Sequence, residues 1–223
     1  MRGKSLAADK SKYTKIPFSF LATLAGPIDG DPLVKRAPPS LGYISVTRTT
    51  KGFISSLLSI SLDIRDEMML RDIQSTLGFG RIAGPFYNQD GTITVKLIFN
   101  RTELQELLFP LFFHHGIFFL TETRRAQFQL ALYIFVSDLT KFDLIPKLIP
   151  ATPWLPLLPT SPKLYLDLPF FLFWIVGFTI AEGSFLFKSN GDACFQLKQR
   201  IDLPLFEAFK LVLARRPRAQ LVV

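Results

Sequence analysis

The spacing of apolar residues along the first 136 positions alternates between two periods, and each period predicts a different element. Spacings of three and four predict helices; these cover residues 17–31, 63–78, a segment that starts at Glu103 behind a Thr102 cap, and 122–136. Strict alternation predicts strands; these cover 43–49, 53–62, 81–87 and 92–100, joined in pairs by turns at 51–52 and 88–91. The order helix, two strands, helix, two strands, helices predicts an α+β unit.

A shorter version of this pattern begins near residue 170. It consists of an apolar run over 173–185, a predicted hairpin over 185–199 that turns at 190–192, and a predicted helix over 203–214. Seven prolines make the stretch before it a linker, extended and partly packed. The predicted organisation is a basic arm (1–16), a first half (17–136), a linker (137–169) and a second half (170–223). By the logic of the repeat, the second half lacks about 50 residues that the first half has.

Two short motifs lie at corresponding places in the two halves. Each has two small residues four positions apart followed by an acid: Gly26, Gly30 and Asp31 in the first, Gly177, Ala181 and Glu182 in the second. Residues four apart share a helix face, so two such helices can pack with their backbones in close approach. Packing of this kind would bring Asp31 and Glu182 side by side, where like charges repel unless divalent cations lie between them.

The motifs resemble those of the LAGLIDADG homing endonucleases, specifically the single-chain type with two motif copies. The second copy has the wording Trp-Ile-Val-Gly-Phe-Thr-x-Ala-Glu-Gly-Ser-Phe, and the first matches at Leu-Ala-Gly-x-Ile-Asp-Gly-Asp before it departs. The first copy has Pro27 inside its helix, where the family usually has leucine, and an interior proline removes a backbone hydrogen bond or kinks the helix. Residues 32–41, with three prolines, resemble a ten-residue insertion directly beside the expected active site.

The resemblance implies a pseudo-symmetric αββαββα fold with both motif helices at its centre, and here an incomplete second half. It implies site-specific cleavage of double-stranded DNA, with Asp31 and Glu182 as catalytic ligands of Mg²⁺. The backbone carbonyls of Gly30 and Ala181 would complete the metal spheres. Lys96 resembles the family's basic residue that organises water near the scissile phosphate, and a plain lysine on a DNA-facing strand is an equal alternative.

Each sheet of this fold lies in the major groove, so alternate strand residues are candidates for base contacts. The candidates in the first half are Ser45, Thr47, Arg48, Thr49, Tyr87, Gln89 and Asn100. Those in the second half are Lys188, Asn190, Gln196 and Lys198.

Composition narrows the partner class. The chain of 223 residues carries a net charge of +8 with a pI near 9.7, which favours a polyanion such as nucleic acid or an anionic membrane surface. The most apolar stretch is interrupted by Asp167 and Pro169 and is shorter than the roughly 20 residues that a membrane span requires. A single cysteine, Cys194, excludes an internal disulfide and a cysteine-rich zinc site. The expected partner is double-stranded DNA, bound by a monomer, with no membrane.

Three function classes follow. The first is an intron-encoded homing endonuclease that cuts an organellar gene, in the mitochondrion or chloroplast. The second is a non-cleaving maturase of the same fold that binds host intron RNA; the retained carboxylates argue against it, whereas Pro27 and the insertion argue for it. The third is a decayed reading frame, for which an open sheet edge and exposed apolar surface predict aggregation.

Overall fold

A computed structural model describes residues 15–30, 42–152, 155–187, 189–197 and 202–214 of the chain. The helices are α1 (Phe18–Asp29), α2 (Glu67–Leu77), α3 (Arg101–Glu103), α4 (Phe109–His114), α5 (Glu122–Val136), α6 (Pro162–Leu166), α7 (Phe171–Glu182) and α8 (Leu203–Ala214). The strands are β1 (Gly42–Arg48), β2 (Ile54–Asp63), β3 (Arg81–Tyr87), β4 (Ile93–Asn100), β5 (Gly183–Phe187) and β6 (Ala193–Leu197). The predicted α+β class and the αββαββα order of the first half are confirmed.

The first sheet has four antiparallel strands in the order β1-β2-β4-β3. One of its faces carries Leu58, Ile60, Val95, Leu97 and Phe99, which are buried against the helices. A run of phenylalanines from α4, α5 and the segment between them fills the space behind these strands. The helical layer therefore covers one side of the sheet and leaves the other side, called here the outer face, to polar residues.

The centre of the molecule is the crossing of α1 and α7, as the two motifs predict. A Cβ atom on Gly26 would lie 2.3 Å from the backbone nitrogen of Phe178, and one on Gly177 would lie 1.9 Å from the carbonyl oxygen of Thr23. Only hydrogen fits at both positions, because real Cβ contacts do not fall below about 3 Å. The two helices thus pack backbone against backbone.

Pro27 does not break α1. The helix continues to Asp29, and the backbone N–H of Gly30 still donates to the carbonyl of Gly26 at 3.2 Å. Proline has no N–H to offer the carbonyl of Thr23, four residues earlier. That carbonyl faces Gly177 of the other helix, so the bond lost to Pro27 lies where α7 packs.

The ends of several elements differ from the predicted ends. The helix that follows β4 is capped by Asn100 rather than Thr102: the Asn100 side chain accepts from the backbone of Glu103 at 3.1 Å, and the Glu103 carboxylate accepts from the backbone of Asn100 at 2.8 Å. Helix α7 ends at Glu182, so β5 begins two residues earlier than expected. In each case the capping geometry, rather than the apolar spacing, sets the boundary.

Part of the predicted linker packs on the first half. The backbone N–H of Phe142 donates to the carbonyl of Gly52 at 3.0 Å, and Asp143 pairs with Arg48 at 3.1 Å. Further along, α6 places Tyr165 in the core, where its hydroxyl lies 3.2 Å from a carboxylate oxygen of Asp202. The described residues do not include residues 1–14 of the basic arm, the insertion at 32–41, or residues 198–201 and 215–223.

The two central helices differ in how the residues beside their crossing are covered. Aligned on Gly26 and Gly177, the positions Leu21, Ala22, Ala25 and Asp29 of α1 correspond to Leu172, Phe173, Val176 and Ile180 of α7. The first four are 0% exposed, whereas the second four are 41–60% exposed. No helix within the described ranges combines the length and apolar character needed to cross a bilayer.

Replacement of Gly177 by alanine tests the helix crossing. The gain of about 1 kcal/mol in helix propensity is outweighed by the overlap with the Thr23 carbonyl, which is backbone and cannot yield. We expect Gly177→Ala to lower the free energy of unfolding by about 3 kcal/mol in urea titrations. The control Val176→Ala, at a site that is 54% exposed, should change it by about 0.5 kcal/mol. Equal effects of the two substitutions would contradict the crossing.

Candidate metal centre and nucleic-acid interface

The C-terminal ends of α1 and α7 meet at the predicted metal-binding residues. A Cβ atom on Gly30 would lie 2.6 Å from a carboxylate oxygen of Glu182 and 3.0 Å from the Cβ of Ala181. The Glu182 carboxylate therefore lies against the backbone that leads into Asp31. Asp31 itself is outside the described residues, and among those described no three His, Cys, Asp or Glu side chains converge on one point. The structure thus brings Gly30, Ala181 and Glu182 together.

Asp29 anchors the end of α1. Its side chain is fully buried and accepts hydrogen bonds from the backbone N–H groups of Leu120 and Thr121, the second at 3.1 Å. The Thr121 hydroxyl lies 2.6 Å from the carboxylate, and the indole Nε1 of Trp174 donates to it at 3.1 Å. One carboxylate therefore connects α1, α7 and the N-terminus of α5, where the helix dipole favours a negative charge.

Burial raises the pKa of Asp29 to about 6, against the opposing effect of its hydrogen-bond donors and of Arg124. The Thr121 hydroxyl is also 3.1 Å from the Asp29 backbone carbonyl. It can donate to the ionised carboxylate, or donate to the carbonyl while accepting from the protonated acid. Both protonation states of Asp29 are therefore satisfied by the same partner.

A second polar chain connects the end of α1 to the sheet. A guanidinium nitrogen of Arg124 donates to the Gly30 carbonyl at 2.7 Å, and the other terminal nitrogen donates to the side-chain oxygen of Gln127. That oxygen also accepts from the backbone N–H of Ile44 in β1 at 3.3 Å. Arg124 is only 1% exposed. Side chains of α5 thus hydrogen-bond both to Gly30, at the end of the first motif, and to the edge strand β1.

Lys96 lies on the outer face. It is opposite Ser61 and Ala83 in the strand register, on the side away from Val95 and Leu97. Its ammonium group lies 5.0 Å from the centre of the Phe86 ring, a cation–π distance. The lysine is therefore held over the sheet and faces away from the core.

Two of the three candidates on β1 share the outer face with Lys96. Ser45 is opposite Leu57 and Thr47 is opposite Ser55, in the same alternation as Ser61. Arg48 has the opposite parity and is paired with Asp143 in the linker. Thr49 is engaged in the hairpin turn, where its hydroxyl lies 3.0–3.1 Å from the backbone of Phe53.

The remaining candidates lie at strand ends and turns. Tyr87 is 78% exposed at the end of β3, Gln89 is exposed in the following turn, and Asn100 is exposed where β4 ends. In the second half, Asn190 bonds with Asp192 across the turn, Gln196 is half-buried in β6, and Lys188 and Lys198 lie outside the described residues.

The hydrogen bonds that Asp29 and Arg124 make at the end of α1 were not predicted from the sequence. By residue type alone, Arg124 and Gln127 of α5 would be assigned to a solvated face. Asp29 lies within the first motif, at the position that Ile180 occupies in the second. The one available signal is that a carboxylate and a guanidinium both fall at positions that apolar spacing assigns to the interior.

Two glycine-packed helices end side by side next to a four-stranded sheet, which is the arrangement that the resemblance of the two motifs predicts. No family model matches the sequence. Among solved structures, the meganuclease I-SmaMI bound to uncleaveable DNA with a TTCT central four is similar, with a TM-score of 0.54 and 18% identity over 87% of this chain and 72% of that chain. I-SmaMI bound to its uncleaved DNA target in the presence of calcium ions gives a TM-score of 0.52 and 18% identity over the same shares, 87% and 72%.

A LAGLIDADG meganuclease, I-CpaMI bound to uncleaved DNA, is less similar, with a TM-score of 0.49 and 17% identity over 78% of this chain and 65% of that chain. The similarity to I-SmaMI shows the fold: the chain has the fold of the LAGLIDADG homing endonucleases, as its two motifs predict.

Replacement of Thr121 by valine tests the hydrogen bonds between Thr121 and Asp29. Valine keeps the shape but removes the hydroxyl that serves both Asp29 and the N-terminus of α5. We expect a loss of about 2 kcal/mol in the free energy of unfolding. Thr92→Val removes an exposed hydroxyl bond to Asp90 at 2.7 Å and should cost less than about 0.5 kcal/mol. A Thr121→Val protein as stable as the wild type would show that the hydrogen bonds between Thr121 and Asp29 do not stabilise the fold.

Proposed function

We propose that this chain is a site-specific double-stranded DNA endonuclease of the homing type, which hydrolyses phosphodiesters with Mg²⁺ held between Asp31 and Glu182. The observation that carries the proposal is the close approach of the Glu182 carboxylate to Gly30, where a Cβ atom would lie 2.6 Å from a carboxylate oxygen. It brings the end of one motif against the carboxylate of the other. A pair of acids at a shared centre can hold the divalent ions that promote hydrolysis of both strands.

The donor set fits a hard divalent cation. Carboxylate and carbonyl oxygens are the ligands that Mg²⁺ and Ca²⁺ prefer. A bound dication would polarise the scissile phosphate and neutralise the leaving oxygen. Glycine at position 30 leaves room for the Glu182 side chain. Ala181 is also small, and its Cβ lies 3.0 Å from the place that a Cβ atom on Gly30 would take.

The residues of the chain itself would bind and orient the DNA. The outer face presents the hydroxyls of Ser45 and Thr47 on β1 and the cation of Lys96 on β4. A strand pair fits the major groove, where hydroxyl groups can contact base edges and cations contact phosphates. Since both halves belong to one chain, the enzyme would act as a monomer.

Two observations on similar proteins support this proposal. I-SmaMI is bound to DNA in two solved structures, one of which was obtained in the presence of calcium ions. A non-cleaving maturase of the same fold would share the sheet and the helices. The two functions therefore differ in what the carboxylates do, and cleavage is the measurement that separates them.

We expect the wild-type chain to cut a plasmid that carries the host gene's uninterrupted junction, in the presence of Mg²⁺. Asp31→Asn and Glu182→Gln should each reduce the cleavage rate by about 100-fold or more, because each removes a ligand charge. The control Glu207→Gln changes an exposed carboxylate on α8 and should leave the rate unchanged. Undiminished cutting by both site variants would contradict the proposed acids.

No cutting by a folded wild-type chain that still binds the DNA would instead favour the binding-only alternative. Chelation by EDTA should abolish the wild-type activity and excess Mg²⁺ should restore it.

Substitution of Lys96 by methionine tests the outer face. Loss of one phosphate contact should weaken binding to all DNA sequences and reduce the slope of log K against log salt by about 1. Arg71→Gln changes a cation on α2, which packs behind the sheet and is paired with Glu67, and should leave the slope unchanged. An equal change of this slope in both variants would show that the DNA does not bind to the outer face.

A further inference from the structure

A cavity of about 450 Å³ lies where β2 begins and β4 ends. The last residue of β4, Asn100, pairs with Leu57, so residues 54–56 of β2 extend past the end of β4. Ser56 lines the cavity together with Asn100 and with Arg81 of the edge strand β3, and this space is called here the Ser56 cavity. Its volume is within the range of small-ligand sites.

The Ser56 cavity is distinct from the proposed metal centre. Near α1, β2 pairs through Ile60 with Gly42, and a Cβ atom on Gly42 would lie 2.6 Å from the Cα of Ile28. Ser56 is four residues from Ile60, which is about 13 Å along the strand. Neither motif helix contributes to the described lining of the cavity, so a ligand bound there would not touch the metal centre.

Ser56 has a hydroxyl group with no partner in the described part of the chain. The residue is 4% exposed, and its Oγ is buried without a hydrogen bond. Buried hydroxyl groups are normally bonded, because an unpaired one destabilises the fold. Ser56 therefore keeps an unused donor and acceptor at the wall of the cavity.

The other unused polar groups of the wall are mainly donors. Arg81 is exposed and forms no ion pair with any described residue. The side-chain oxygen of Asn100 accepts from the backbone of Glu103 at 3.1 Å, which leaves the NH₂ group as a donor. The carboxylate oxygens of Glu103 already accept from the backbone N–H groups of Gly80 at 3.0 Å and Asn100 at 2.8 Å. A wall of this kind favours an anionic ligand.

A second guanidinium and an apolar surface narrow the class of anion. Arg101 also lines the cavity, held by the Leu139 carbonyl at 2.8 Å and by Asp138 at 3.7 Å. The half-buried side chains of Leu57 and Ile98 form an apolar part of the lining. A phosphate group offers more acceptor oxygens than a carboxylate and suits the fork of a guanidinium. A nucleotide combines such a phosphate with a sugar and base that apolar side chains can contact.

We propose that the Ser56 cavity binds the phosphate group of a nucleotide, with Arg81, Ser56 and Asn100 as donors and with Leu57 and Ile98 against the sugar or base. The phosphate can belong to a bound nucleic acid or to a free nucleotide. Binding requires neither the metal centre nor cleavage, so the inference goes beyond the proposed function and is tested without it.

The test is a calorimetric titration of the full chain with deoxyadenosine monophosphate, in the absence of divalent ions. We expect saturable binding with a dissociation constant of about 1 mM or less. Deoxyadenosine should bind at least about tenfold more weakly, because it lacks the phosphate. Arg81→Gln should weaken binding of the monophosphate by about tenfold, and Ser56→Ala should weaken it by about fivefold.

Stability measurements separate a binding role of Ser56 from a structural one. Since its hydroxyl has no partner in the described fold, Ser56→Ala should not lower the melting temperature. The matched control Ser59→Ala removes another buried hydroxyl of this kind from the same strand, outside the cavity, and should leave the affinity for the monophosphate unchanged. Arg65→Gln changes an exposed arginine that is paired with Asp63, and it should also leave the affinity unchanged.

A wild-type chain that binds no monophosphate at about 10 mM overturns the inference. Equal affinity of the wild type and the folded variants Arg81→Gln and Ser56→Ala overturns it as well. If Ser56→Ala does not fold, Arg81→Gln decides, because that side chain is exposed and its replacement does not disturb the core.

A competition experiment identifies the source of the phosphate. If the cavity takes a backbone phosphate, the monophosphate displaces a DNA duplex of about 20 base pairs, and Arg81→Gln and Ser56→Ala weaken duplex binding. If it takes a free nucleotide, both variants bind the duplex as the wild type does. Asp31→Asn and Glu182→Gln should bind the monophosphate normally, so failure of the proposed metal centre would leave this inference intact.

Discussion

The structure depends on two helices whose backbones touch. At the crossing of α1 and α7, Gly26 and Gly177 leave no room for a side chain, so the separation and angle of the helices are set by the main chain itself. Main-chain atoms are not displaced by rotamer changes, and a contact between them therefore transmits position accurately. Because Gly30 and Glu182 lie one turn further along the same helices, that accuracy reaches the proposed metal centre.

Close packing places the helices, and the buried polar groups orient their ends. Asp29 accepts from α7 and from the start of α5, and Arg124 donates to the next carbonyl, that of Gly30. Burial of a carboxylate and a guanidinium is expensive unless every polar atom has a partner of suitable geometry. The expense is consistent with a role in orientation: apolar residues of equal volume would pack as well but would not fix the direction of the peptide that leads to Asp31.

The period of the apolar pattern and the turn residues sufficed to predict the order of elements in the first half and its two hairpins, and the spacing of small residues predicted the meeting of the two motif helices. These features depend on local spacing, which a sequence displays directly. The Asn100 cap and the Arg124 contact could not be predicted in the same way. Asn100 competes with Thr102 for the same cap, and only three-dimensional geometry decides between them. Arg124 meets Gly30 across 94 positions, a distance in sequence at which no periodic pattern carries information.

The two halves are symmetric at their contact and asymmetric away from it. Ile180 occupies the place of Asp29, so α7 has no carboxylate with which to hold a second helix N-terminus. The face that Ile180 shares with Leu172, Phe173 and Val176 is 41–60% exposed, whereas the matching face of α1 is buried. The orienting contacts differ too: Asp29 connects α1 to α5, whereas α7 is oriented, within the described residues, by α1 and by the edge-on and tilted contacts of Trp174 and Phe178 with Phe209 of α8. The position of Glu182 is therefore determined largely by the first half, through the glycine crossing, rather than by an independent fold of the second.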